Sequence, residues 1–178
     1  MRTIIGVLAF LWASGVYAAP PIEAYGELPA FRSMALSPAG DRVAYLLRKD
    51  GEEYLTVYTF GEGLSGGARV NEMKAGQVEF AGPRYVIIRG SETTGMYGVR
   101  GRFEFSAAIA YSLETGKAVQ LLSKTDILYP AQSGLGRIVG ILEEEDEVLM
   151  PAFTGKSSKP QHDLLHVRLD NGRGKVYA

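Results

Sequence analysis

Two stretches of this chain spell the same turn. YSLETGKAV (111–119) and VRLDNGRGK (167–175) match at one constant offset: Leu113 with Leu169, Glu114 with Asp170, Gly116 with Gly172, and Lys117 with Arg173. A hairpin accounts for the spelling. The acid can accept a hydrogen bond from turn amides, glycine takes a positive φ without steric cost, and the flanking residues resume the ladder. A chain that repeats one hairpin at a long interval is built from recurring sheet units.

The rest of the sequence fits that frame. Strand-like runs occupy 31–36, 42–48 and 54–60, with a weaker one at 68–73, and Ser37-Pro38-Ala39-Gly40-Asp41 supplies turn chemistry between the first two. A second cycle runs 77–81, 84–89, 105–113 and 118–122; a third runs 137–142, 148–153, 164–169 and 175–177. The 22 glycines and 10 tyrosines suit many short strands joined by tight turns. The expected fold is all-β: consecutive antiparallel four-stranded meanders, three blades of an incomplete β-propeller at 31–75, 76–123 and 136–178. A blade buries both faces, so Val86-Ile87-Ile88 need not alternate with polar residues. The competing arrangement is a generic antiparallel sandwich with coincidental turns.

The start of the chain reads as a signal peptide, residues 1–18. Arg2 precedes the apolar run 4–13, and Val16-Tyr17-Ala18 offers small residues for cleavage after Ala18. The run is short for a membrane span; an uncleaved anchor is the alternative. Residues 19–30 form a Pro-rich lead-in. With no cysteine, the chain carries neither a lipid-modified N-terminus nor disulfides, as expected of a periplasmic or secreted protein stabilised by its core. Nineteen Lys and Arg against 20 Asp and Glu give no basic surplus for nucleic acid or an anionic membrane.

One motif suggests catalysis. Gly63-Leu64-Ser65-Gly66-Gly67 fits G-x-S-x-G, the nucleophile elbow of serine hydrolases. An elbow needs a helix directly after the serine. The following 68–76 is too short and poorly patterned for one, so GEGLSGG (61–67) reads as a loose loop between strands. The only histidines, His162 and His166, would share a face on a helix and suit zinc. DLLHVRLD reads instead as a strand, on which four residues span roughly 13 Å, too far for one metal to bridge. The run Glu143-Glu144-Glu145-Asp146-Glu147 reads as a solvated turn, since consecutive acids point in different directions and do not suit a calcium loop. GMYGVRGRFEF (95–105) and FTGKSSKPQHD (153–163) read as loops, the second a mobile one. No catalytic, cofactor or metal residue is assigned.

The stretch 27–60 resembles the opening blade of exported prolyl oligopeptidase-family serine peptidases of the acylaminoacyl- and dipeptidyl-peptidase type. The carrying residues are Leu28-Pro29 and Ala35-Leu36-Ser37-Pro38-Ala39-Gly40-Asp41-Arg42-Val43-Ala44-Tyr45, supported by the later LDNGRG hairpin. The Leu-Ser-Pro-x-Gly core is shared with propellers of the periplasmic TolB type. The resemblance implies an N-terminal propeller that caps a C-terminal α/β-hydrolase domain and restricts access to short peptides. It implies that the catalytic half is absent from this chain, which ends at Ala178. Some dipeptidyl peptidases of the family hold a substrate amino terminus with paired glutamates. Here Val139-Gly140-Ile141-Leu142 precede the acids in place of the family's aspartate, tryptophan and aromatic residue. The expected function is therefore that of a non-catalytic propeller segment. The alternatives are a stand-alone periplasmic β-rich binding module with TolB-like repeats, and a small serine hydrolase using Ser65.

Overall fold

The computed structural model describes residues 29–70, 73–96, 99–155 and 159–177. The expected signal peptide, its cleavage after Ala18 and the lead-in up to residue 28 lie outside the described residues, as does the centre of the expected mobile loop, 156–158. Among the described residues every regular element is a strand. The first sheet contains β1 (Phe31–Leu36), β2 (Arg42–Lys49), β3 (Glu52–Thr59) and β4 (Gly63–Arg69). The second contains β5 (Lys74–Ala81), β6 (Tyr85–Met96), β7 (Val99–Ser112) and β8 (Ala118–Gln120), and the third β9 (Gly140–Leu142), β10 (Glu147–Thr154), β11 (Gln161–Arg168) and β12 (Gly174–Val176). Each sheet is an antiparallel meander with its four strands in chain order, the arrangement of propeller blades.

The repeated turn is repeated in atoms. In the second blade Gly116 N–H donates to Ser112 O and Ser112 N–H to Lys117 O, both at 2.9 Å. In the third, Gly172 N–H donates to Arg168 O at 2.9 Å and Arg168 N–H to Arg173 O at 3.1 Å. Gly116 and Gly172 have φ of +67° and +72°, as the spelling predicts. The capping side chain is not the acid, however. Thr115 Oγ1 accepts from Lys117 N–H at 3.4 Å and Asn171 Oδ1 accepts from Arg173 N–H at 2.9 Å, while Asp170 pairs with Arg168. The residue after the acid is the one whose short side chain can curl back two positions.

Two apolar layers join the blades. The first packs Ala44, Leu46, Leu55 and Val57 against Val78, Phe80, Val86, Ile88 and Tyr111. The second packs Ile87, Ala108, Ala110, Leu121 and Leu122 against Val148, Met150, Leu165, Val167 and Leu169. Val86 and Ile88 thus face one neighbour and Ile87 the other, which is why that run does not alternate. Each fully buried side chain of this size contributes about 1.5–3 kcal/mol.

Three expectations are corrected. GLSGG is not a loose loop: β4 begins at Gly63 and ends at Arg69, so the fourth strand lies earlier than 68–73 and the turn falls on Phe60-Gly61-Glu62. The described residues of 95–105 are not a loop entering a strand. Residues 95–96 and 99–105 belong to β6 and β7, whose ladder pairs Glu92 with Phe105 and Thr94 with Phe103. The hydroxyls of Ser91 and Thr93 donate to Glu104, and Lys74 donates to Thr93 Oγ1 at 2.8 Å, so polar cross-strand contacts replace apolar ones there. In 153–163 the strands run further than expected, β10 to Thr154 and β11 from Gln161.

Candidate functional site

Ser65 sits exposed in the middle of β4. The Thr59 hydroxyl donates to Ser65 Oγ at 2.8 Å, and Ser65 Oγ donates to the Val57 carbonyl at 3.3 Å. Its hydroxyl is thus engaged by strand neighbours, and the chain runs from β4 to β5 without a helix among the described residues. Both histidines lie on β11, in the third sheet, with the second sheet in between. The glycines after the serine serve packing. A Cβ on Gly67 would stand 2.6 Å from the Leu55 carbonyl oxygen, and one on Gly66 would meet Tyr111 Oη at 3.4 Å. Tyr111 Oη accepts from Gly67 N–H and donates to Gly67 O, both at 3.1 Å. The Gly66-Gly67 end of the motif is where a tyrosine of the second blade docks on the first.

The two histidines have separate partners. His166 Nδ1 lies 2.7 Å from Glu147 Oε2, and its ring stacks on Tyr177 at 4.6 Å. The His162 ring packs tilted against Phe153, its cross-strand neighbour, at 4.9 Å. Among the described residues no group of three or more His, Asp or Glu side chains is placed to hold a metal.

The acidic run is divided. Glu143, Glu144 and Glu145 are exposed, with Glu143 beside Gly82 of the preceding blade. Asp146 forms an ion pair with Arg84, and Glu147 belongs to β10. What read as one solvated turn is therefore partly a latch between blades, since Asp146 holds Arg84 of the second blade, while Glu147 pairs with His166 within the third.

Two concave surfaces remain. The outer face of the first blade carries rows of apolar side chains across all four strands: Leu36, Val43, Tyr58 and Leu64 stand in register, with Met34 and Tyr45 beside them. Leu64 is 74% exposed and Met34 62%. At its edge the Tyr54 hydroxyl donates to Glu52, which pushes the phenol pKa up.

The other is a cleft of about 550 Å³ at the end of the third blade, lined by Tyr129, Pro130, Gln132, Arg137, Phe153 and His162 among others. Gln132 builds it. Its Oε1 accepts from Phe153 N–H at 2.6 Å, while Nε2 donates to Phe153 O at 2.7 Å and to Tyr129 O at 2.8 Å. One side chain thereby imitates a strand partner for β10. On the other side, Ser106 N–H donates to Ser133 O at 2.7 Å and Gly136 N–H to Ser106 Oγ at 3.2 Å, which ties the loop to the second blade. Ala131, on the rim, is held at φ +64°. Of these residues only Phe153 and His162 fall in a stretch that the sequence singles out. YPAQSG (129–134) signals a turn, but a loop wall formed by long-range hydrogen bonds leaves no local pattern.

No family model matches the chain, and no curated protein matches it in sequence. Among solved structures, an acylaminoacyl peptidase in complex with Z-Gly-Gly-Phe-chloromethyl ketone is similar, with a TM-score of 0.50 and 12% identity over 85% of this chain and 25% of that one. The apo form of the AtxE2 isopeptidase matches with a TM-score of 0.36 and 14% identity over 84% of this chain and 34% of that one. The chain spans about a quarter and a third of the lengths of these two proteins. The first likeness establishes a shared blade fold.

Proposed function

We propose that this chain is the N-terminal propeller segment of an exported, prolyl oligopeptidase-like serine peptidase. It is a non-catalytic array of blades that gates the access of short peptides to a C-terminal α/β-hydrolase domain. The observation that carries this reading is the likeness of its three successive blades to an acylaminoacyl peptidase over 85% of this chain and only 25% of that one. The first blade's open face supports it as well. Its rows of leucine, methionine and tyrosine suit a further sheet, because a propeller blade buries both faces. Ser65, hydrogen-bonded to Thr59 and Val57 of the neighbouring strand β3, has no part in the chemistry.

The test is the native product. An antibody against residues 29–177 should detect a much longer polypeptide in the periplasmic or secreted fraction, and that polypeptide should take a fluorophosphonate label unaffected by Ser65→Ala. A product of this chain's own length that takes no label overturns the reading and leaves the binding module, which the preformed cleft on the third blade favours. Label lost in Ser65→Ala would instead establish a small hydrolase.

A further inference from the structure

We propose that the cleft between the 129–134 loop and the end of β10 is a binding site for a carboxylate carried on an apolar or aromatic group. The site stands whether or not the chain belongs to a longer peptidase. Its volume, about 550 Å³, lies within the range that holds small ligands. Its charge is one-sided. Arg137 lines it, no aspartate or glutamate does, and Arg137 has no ion-pair partner among the described residues. A guanidinium presents two parallel N–H groups to the two oxygens of a carboxylate, so the unpaired Arg137 supplies the head-group contact.

The walls supply the rest. Phe153 is 46% exposed on the cleft side of β10, and its ring with that of His162 gives an aromatic surface for a flat or branched apolar body. Pro130, Pro151 and Pro160 add apolar surface that loses little freedom on binding. The rim is preorganised as well. Two hydrogen bonds donated by Gln132, one that it accepts, and the ties to Ser106 hold the loop in place before any ligand arrives. Two sources share this chemistry: the C-terminal residue of a peptide, and a free aryl or alkyl carboxylate.

Calorimetric titration of the full chain tests the site, with N-acetyl-Gly-Phe, its C-terminal amide and 3-phenylpropionate as probes. The free-acid peptide should bind at least about tenfold more tightly than its amide, the loss expected for a charge-assisted contact. Arg137→Gln should remove that difference. Arg173→Gln, on an exposed turn of the same blade, should leave it intact and controls for general charge. If phenylpropionate matches the peptide, the site takes free carboxylates; if the peptide binds more tightly, it takes peptide C-termini. Equal binding of acid and amide, retention of the difference in Arg137→Gln, or no binding by any probe at millimolar concentration overturns the proposal.

Discussion

Between the first and second blades, the Tyr111 hydroxyl bonds both backbone groups of Gly67 at 3.1 Å. Between the second and third, Leu122 N–H donates to the Gly172 carbonyl at 2.8 Å. Both seams must satisfy the exposed backbone at the outer edge of the earlier blade, where unpaired groups would be costly. Tyr111 and Val167 occupy matching places, opposite Val86 and Ala118 in one blade and opposite Val148 and Gly174 in the other. Where the later blade has valine, its glycine turn has moved in to supply the carbonyl. The first seam is therefore tolerant at its turn and depends on its tyrosine hydroxyl, whereas the second depends on its glycine turn.

That contrast can be broken in four ways, each read by urea unfolding followed by circular dichroism. The largest effect should come from Met150→Ala, which removes a fully buried side chain from the second seam and should cost about 2–5 kcal/mol. Next are the paired turn variants. A Cβ on Gly172 would stand 2.4 Å from the Gln120 carbonyl oxygen and 3.0 Å from Val119 Cγ1, whereas on Gly116 it meets only Tyr111 Oη at 3.8 Å. Gly116→Ala should cost about 1 kcal/mol, the strain of a positive φ, and Gly172→Ala clearly more. Equal costs would mean that the turn does not dock. Tyr111→Phe should cost about 1–3 kcal/mol, because Gly67 is left with unmet backbone groups. A neutral result would mean that water replaces the hydroxyl.

The smallest effect lies at a blade tip rather than a seam. Ser37 Oγ donates to Asp41 Oδ1 at 2.7 Å, and this bond, more than the neighbouring Arg42, holds the Asp41 pKa below its ordinary 3.8. A depressed carboxylate pKa stabilises the folded state above the unfolded value. That contribution is lost as pH falls through the folded value. Asp41→Asn should therefore lower stability slightly in the neutral range, where the carboxylate's contribution is present, and flatten the decline below about pH 4. An unaltered acid limb would show that the Ser37–Asp41 bond adds nothing to stability.

Local features were legible. The Gly116 and Gly172 turns, the Ser37–Asp41 turn and the strand runs could be read from spelling, because φ preference and side-chain alternation act over two to five residues. The readings that failed involved distant partners. GLSGG looked like a loop because glycines weaken strands, yet Gly67 has no room for a side chain beside the Leu55 carbonyl, and Tyr111, far along the chain, bonds its backbone. The acidic run looked uniformly solvated because nothing near it announces Arg84. The cleft left no trace, since Gln132 becomes a strand surrogate only once β10 lies beside it.

The sequence by itself determined that this protein is a succession of hairpins with buried faces, because turn dihedrals and burial patterns are properties of neighbouring residues. Only the tertiary structure decided what Gly67 is for, which acids are paired and where a cleft opens. Those depend on which blades meet and in what register, and a backbone hydrogen bond across a seam is written in no single stretch of chain.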